Sequence, residues 1–204
     1  MITIVDYGMG NLGSIRNMLK RVGVASLITS ELSEIQQASK IILPGVGAFS
    51  TGMEKLKEMN LIQLLNLKAL EERVPVLGIC LGMQIMCKSS EEGAGSGLAW
   101  VDAEVKKFQF PLEDNLHKVP HIGWNYISPK KEHPIVSGFD PKTRFYFVHS
   151  YYVKCNDQKD VLGKTNYGID FDSMFSVDNI IGAQFHPEKS HRFGMELLKR
   201  FAEM

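Results

Sequence analysis

The chain has 204 residues, 44% hydrophobic and 23% charged, which suits a globular protein long enough to bury a core and is read as one domain over residues 1–204. A formal net charge of zero leaves no basic field for nucleic acid or a membrane surface, and no stretch approaches the roughly 18 apolar residues of a membrane helix. Asp6 interrupts the first apolar run, which excludes a secretory leader, and three cysteines without a C-x-x-C pair exclude a disulfide framework and a zinc site. The expected compartment is the reducing cytoplasm, with no metal and no cofactor.

In chain order, Ile2–Asp6 reads as a buried strand and Asn11–Val22 as a helix with Leu12, Ile15, Leu19 and Val22 on one face. Val24–Thr29 is a second strand, Ser33–Ala38 a short helix, and Lys40–Leu43 a third strand that stops at Pro44-Gly45. Phe49–Met59 and Leu61–Glu72 have helical spacing, Val74–Ile79 is an apolar strand, and Leu81–Lys88 follows as a helix. Strand and helix alternating in this way argue for a parallel sheet with helices on both faces. After Ser89 the character changes. A glycine-rich loop, 93–97, leads into β-rich stretches at Trp100–Phe108, Val119–Ile127, Arg144–Val153, Val161–Tyr167 and Phe171–Val177. Ile180–Phe185 is a last core strand, and Met195–Phe201 closes the chain as an amphipathic helix. The fold class is α/β, with a mostly parallel central sheet, flanking helices and an added antiparallel section.

Gly78-Ile79-Cys80-Leu81-Gly82 has the form G-x-C-x-G between a strand and a helix. This is the cysteine version of a nucleophile elbow. A sharp turn lifts the Cys80 side chain out of the sheet, and glycines give room where the backbone is crowded. The helix beginning at Leu81 points unpaired N–H groups at the sulfur, which favours the thiolate. The Leu81 N–H is placed to donate to a developing oxyanion. A lone cysteine is more often a buried small hydrophobe, and Cys87 and Cys155, without flanking glycines, are assigned to packing.

The second half of the constellation is His186-Pro187-Glu188, after the strand Ile180–Phe185. Residues i and i+2 of an extended chain project to one side, so Glu188 can orient the imidazole of His186. His186 then takes the Cys80 proton and returns one to a leaving group. His117, His121, His133 and His191 have no carboxylate at this spacing. His149 precedes a binding-type loop and either lines a pocket or packs.

A competing reading rests on Gly8-Met9-Gly10-Asn11-Leu12-Gly13, a literal G-x-G-x-x-G after the first strand, with Glu31 near the place of a ribose-binding acid. It makes the chain a dinucleotide-binding domain. Asp6 and Tyr7 fit that fingerprint poorly, and no hydride-acceptor domain follows.

With these residues in place the chain is identified as similar to the class I, triad-type glutamine amidotransferases, which have a flavodoxin-like core. More narrowly it resembles the glutaminase subunits of imidazole glycerol phosphate synthase in histidine biosynthesis. The resemblance covers nearly the whole chain, through Asp6–Leu12, Leu43–Phe49, Gly78–Gln84, Pro120–Asn125, Tyr146–Tyr151 and Gln184–Ser190. It implies that Cys80 attacks the side-chain amide of glutamine, that ammonia leaves, and that water hydrolyses a γ-glutamyl thioester. It implies a second oxyanion donor at the Val46 backbone N–H, and glutamine-binding positions at Gly47, Gln84, Ser150 and Tyr151. It further implies a (β/α)8-barrel cyclase as partner in a heterodimer. The cyclase uses the ammonia to form imidazole glycerol phosphate and an aminoimidazole carboxamide ribotide. Asn11, Trp124 and Lys189 are candidates for that interface. Their plainer readings are a helix cap, a core residue and a solvated charge. Leu98–Ala103 departs from the Gly-Leu-hydrophobic-Gly pattern of the histidine-pathway subunits. That leaves open a paralogue supplying ammonia for amidino-sugar synthesis in surface polysaccharide.

Overall fold

A computed structural model describes residues 1–93, 95–111 and 113–204. Strands β1 (Ile2–Val5), β2 (Ser26–Thr29), β3 (Ile41–Gly45) and β4 (Val76–Cys80) alternate with helices α1 (Leu12–Arg21), α2 (Leu32–Gln36), α3 (Phe49–Glu58) and α4 (Leu61–Asn66). A π-helical turn at Leu67–Glu71 continues α4. β1, β3 and β4 are buried throughout, as both-face-covered parallel strands require. Helix α1 buries Ile15, Met18 and Leu19, carries Lys20 and Arg21 in its last turn where they face its negative end, and stops before Gly23 at φ +77°.

Helix α5 (Leu81–Ile85) follows β4 directly. The remaining strands are β5 (Ser89–Ser90), β6 (Ala103–Lys107), β7 (His121–Tyr126), β8 (Ser128–Pro129), β9 (Arg144–His149), β10 (Tyr151–Cys155), β11 (Val161–Tyr167), β12 (Ile169–Val177) and β13 (Ile180–Ala183), and helix α6 (His191–Glu203) ends the fold. The main sheet runs β2-β1-β3-β4-β13-β12-β10-β6-β5, with β11 on β12 and β8 on β11, while β7 and β9 pair separately. β2, β1, β3, β4 and β13 are mutually parallel, and β12, β10 and β6 are antiparallel additions. Alternate strand residues go to two cores. Ile4, Ile42 and Leu77 pack with α1 and α6, whereas Val5, Leu43 and Val76 pack with α2 to α5.

Three expected elements differ. The helix expected over Leu81–Lys88 ends at Ile85, because the carbonyls of Ile85, Met86 and Cys87 accept from Leu98, Trp100 and Ala99 instead of a further helical turn. Gly97 permits that approach, since a Cβ there would lie 2.2 Å from the Cys87 oxygen. The strand expected over Arg144–Val153 is two strands, β9 and β10, in different sheets. Inward residues Phe145, Phe147, His149, Val153 and Cys155 keep one alternation through the break, so periodicity carries no mark of it. The closing helix starts at His191, four residues before the expected Met195; its first turn packs Phe193 on the core and sets Gly194 against the Pro187 carbonyl, where a Cβ would lie 1.8 Å from the oxygen, so no run of apolar residues at helical spacing marks its start. Ala94 of the glycine-rich loop lies outside the described residues.

Candidate active site

Cys80 ends β4 in a conformation that L-residues rarely adopt, φ +54° and ψ −109°. Three glycines hold the crowding around it. A Cβ on Gly82 would lie 1.8 Å from the Leu43 oxygen, one on Gly78 2.8 Å from the Gly82 oxygen, and one on Gly45 2.8 Å from the Leu81 Cβ. Glycine alone lets β3, β4 and α5 close on one another at this point, and the strain falls on the cysteine. Beside it, the buried Tyr7 hydroxyl donates to the Pro44 carbonyl at 2.6 Å and pins the end of β3.

His186 is fully buried, and its backbone bridges to Tyr146. Its Nδ1 lies 2.8 Å from Oε1 of Glu188, whose side chain is 2% exposed. A carboxylate only accepts, so Nδ1 carries the proton and Nε2 is left free. That Nε2 is buried with no hydrogen-bond partner among the described residues. Pro187–Lys189 is a 3-10 turn. The carboxylate therefore reaches the ring across a turn, not along the extended strand expected from the sequence. Burial opposes the imidazolium, but the Cys80 sulfur and the Glu188 carboxylate outweigh it and push His186 up to about 10.

A cavity of about 460 Å³ opens over the sulfur, with Val46, Gly47, Cys80, Leu81, Gln84, Glu92, His149, Ser150, Tyr151, His186 and Lys189 in its lining. Glu188 stands behind His186 and does not line it. Gly47 has φ +110°, so the loop after β3 turns where only glycine is at ease. Gln84 donates through Nε2 to the Tyr151 carbonyl and to Oε1 of Gln184, both at 3.1 Å. A larger cleft of about 810 Å³ lies elsewhere, along Pro129–Phe139, with no cysteine in its lining.

Asn11 and Trp124 lie outside the cavity. Asn11 occupies the N-cap position of α1 but makes no side-chain cap bond. Trp124 is 42% exposed, not core, and stacks on His191 with centroids 5.6 Å apart. Lys189 is exposed at the cavity rim, with its ammonium 5.7 Å from the centre of the Tyr146 ring. Cys87 and Cys155 are buried in the core, where desolvation raises both thiols. In the glycine motif after β1, a Cβ on Gly10 would lie 3.1 Å from Pro44, so that glycine serves the packing of the β3 loop.

Two residues at the site, Gln184 and Glu92, are not among those singled out from the sequence. Gln184 is fully buried and points Nε2 at the Cys80 sulfur, 3.8 Å away. Its signal was its place two residues before His186, on the same side of the chain. Glu92 lines the cavity and accepts from the Phe49 N–H at 2.9 Å, at the start of α3. Nothing in the sequence around Glu92 marks it, because it reaches the site from a loop. Among the described residues no cluster of His, Cys, Asp or Glu could hold a metal ion, and no helix is long and apolar enough to cross a membrane.

Comparison with known proteins agrees in family. The family model for class-I glutamine amidotransferases matches residues 3–204. The chain is 50% identical over 201 residues to "Imidazole glycerol phosphate synthase subunit HisH 2" of Methanococcus maripaludis, covering 98% of each. It is 49% identical over 204 residues to the protein of the same name from Pseudomonas aeruginosa, covering 100% of each. A solved glutamine amidotransferase superposes with a TM-score of 0.68 over 97% of this chain and 99% of its own, at 17% identity. That likeness speaks for the fold.

Proposed function

The chain belongs to the class-I glutamine amidotransferases and, within them, to the HisH subunits of imidazole glycerol phosphate synthase; on that premise we propose that Cys80, His186 and Glu188 hydrolyse glutamine to glutamate and ammonia. One observation carries the reading. A buried imidazole has one nitrogen on a buried carboxylate at 2.8 Å and the other without a hydrogen-bond partner among the described residues, beside a thiol at a strand–helix elbow. The cavity volume, about 460 Å³, suits a single amino acid.

His186 Nε2 takes the Cys80 thiol proton as the sulfur adds to the amide carbon, and the carbonyl electrons move to oxygen. The backbone N–H groups of Leu81 and Val46 receive that oxyanion. His186 gives its Nε2 proton to the departing nitrogen, the C–N bond breaks and ammonia leaves. Water then adds to the γ-glutamyl thioester as His186 takes its proton. The C–S bond breaks, glutamate leaves, and the sulfur recovers a proton. Glu188 holds Nδ1 and stabilises the imidazolium throughout. Gly47, Gln84, Ser150 and Tyr151 hold the substrate. No cofactor is needed.

Free ammonia would protonate in water, and nothing at this site recognises an acceptor. A (β/α)8-barrel cyclase is therefore read as the partner, in a cytoplasmic heterodimer making imidazole glycerol phosphate and aminoimidazole carboxamide ribotide. Exposed Val46, Val119, Ile122, Trp124 and Tyr126 supply apolar surface for docking, with Asn11, Trp124 and Lys189 as the contact residues proposed. Residues 1–204 act as one domain in this reading. The test is Cys80→Ala. Glutamate release is expected to fall by about a thousandfold or more, and a glutamine-mimicking diazo-ketone should no longer label the chain. Continued hydrolysis by the variant would sink the assignment.

A further inference from the structure

Strands β7 and β9 place His121 directly opposite His149, both on the inner face and both buried. Neither imidazole belongs to the catalytic proposal. His149 Nδ1 lies 2.7 Å from the Tyr151 carbonyl. A carbonyl only accepts, so Nδ1 carries the proton and Nε2 is bare. The bare Nε2 lies 3.0 Å from His121 Nδ1, which must therefore donate. His121 Nε2 is then bare in turn and accepts from Asn125 Nδ2 at 3.3 Å, while the same amide also donates to the Asn166 carbonyl at 2.8 Å. One tautomer of each ring satisfies the chain of bonds. His121 is sandwiched by Tyr167 and Phe147, with centroids 4.0 Å and 4.9 Å away, and Phe108 lies 5.3 Å from His149. Burial in this setting pushes His121 down to about 4 and His149 to about 3, so both rings are neutral near pH 7.

The chain of bonds ends on substrate-facing atoms. The Tyr151 carbonyl also accepts from Gln84 Nε2 at 3.1 Å, and the second hydrogen of that amide goes to Gln184 Oε1 at 3.1 Å. With both hydrogens of Nε2 committed, Oε1 is the polar atom Gln84 has left for the cavity it lines. Its orientation depends on where the Tyr151 carbonyl points. We propose that His149, backed by His121, is a positioning residue for glutamine recognition: it holds the Tyr151 carbonyl so that Gln84 presents an acceptor oxygen to an N–H of the substrate. The inference rests on the glutaminase reading and adds to it two residues outside the triad.

The test compares wild type with His149→Leu and His149→Asn, in complex with the barrel subunit. The asparagine amide nitrogen sits where Nδ1 sits and keeps the donor; leucine removes it. His149→Leu is expected to raise the KM for glutamine about tenfold, the scale of one lost hydrogen bond to a binding group, with kcat within about threefold. His149→Asn should keep the wild-type KM, and His121→Leu should raise it less than His149→Leu does. The rate at which iodoacetamide alkylates Cys80, which needs no glutamine site, should be the same in all. Should His149→Leu not fold, His149→Gln replaces it, because its amide lies at the Nε2 end and cannot reach the carbonyl. An unchanged KM in the loss variant, or no rescue by asparagine, overturns the inference alone. Absence of glutamate release by wild type would instead overturn the glutaminase reading.

Discussion

At the scale of single residues, the site is organised by one strained cysteine and three histidines held in opposite charge states. The backbone of Cys80 at φ +54° is affordable to glycine and costly to other residues, by about 1–3 kcal/mol. Cys80→Gly should therefore melt higher than Cys80→Ala by a few degrees in calorimetry, although both are expected to be inactive. His186 is raised from its ordinary 6.5 to about 10. Its folded state binds the proton more tightly than its unfolded state. The stability this lends is whole below pH 6.5 and is lost as pH rises through 10. Glu188→Gln removes the charge that helps to hold the proton. NMR titration of that variant should show the imidazole deprotonating at lower pH than in wild type. Glutamate release should fall by a hundredfold or more. His121 and His149 run the other way. Their depressed values mean that the stability of the neutral pair is present above 6.5 and is lost as pH falls through about 4 and about 3. The melting temperature of His149→Asn should thus fall less than that of wild type between pH 6.5 and pH 4.

At the scale of elements, close backbone approaches decide where Cys80 and Glu188 stand. Gly82 lets α5 sit against β3, and a Cβ there would meet the Leu43 oxygen at 1.8 Å. Gly82→Ala should cost about 3 kcal/mol or more, because backbone and not a side-chain tip must move, and soluble yield should drop with it. Gly194 makes the same kind of contact with the Pro187 oxygen, also at 1.8 Å. Gly194 lies on α6, outside the cavity. Pro187 precedes Glu188, so Gly194→Ala should shift the turn that carries the carboxylate and lower kcat for glutamine while Cys80 stays alkylatable. An enzyme assay beside an iodoacetamide assay checks both. The elbow itself was legible from G-x-C-x-G, since the spacing states the crowding. The carboxylate reach was legible from His-x-Glu, although its geometry is a turn. The loss of the second half of the expected Leu81–Lys88 helix was not legible, because Leu98–Val101 takes its carbonyls from across the fold.

At the scale of the molecule, β7 has two faces in different surroundings. Its inner face holds His121 and Asn125, whereas its outer face exposes Ile122, Trp124 and Tyr126 to solvent. An exposed tryptophan flanked by such residues has the character of a binding hot spot. Trp124→Ala is expected to weaken binding to the proposed barrel partner about tenfold or more, measured by calorimetry. It should leave the melting temperature within a degree or two, because the ring is not part of either core. Equal affinity in the variant would move the interface elsewhere.

The sequence by itself determined the alternating parallel half of the sheet, the elbow at Cys80 and the partnership of His186 with Glu188. Each is written in short-range pattern: apolar runs, glycine spacing, and two side chains two residues apart. Tertiary structure alone decided that β9 and β10 part company at Ser150 and that Glu92 reaches the cavity. It also decided that Gln184 touches the sulfur and that two neutral histidines stand behind the Tyr151 carbonyl. These depend on which strand lies beside which, and the alternation of buried residues is the same on either side of the break. Cys80, His186 and Glu188 could be read from neighbours in sequence; the bonds that fix Gln84 between Tyr151 and Gln184 could be read only from neighbours in space.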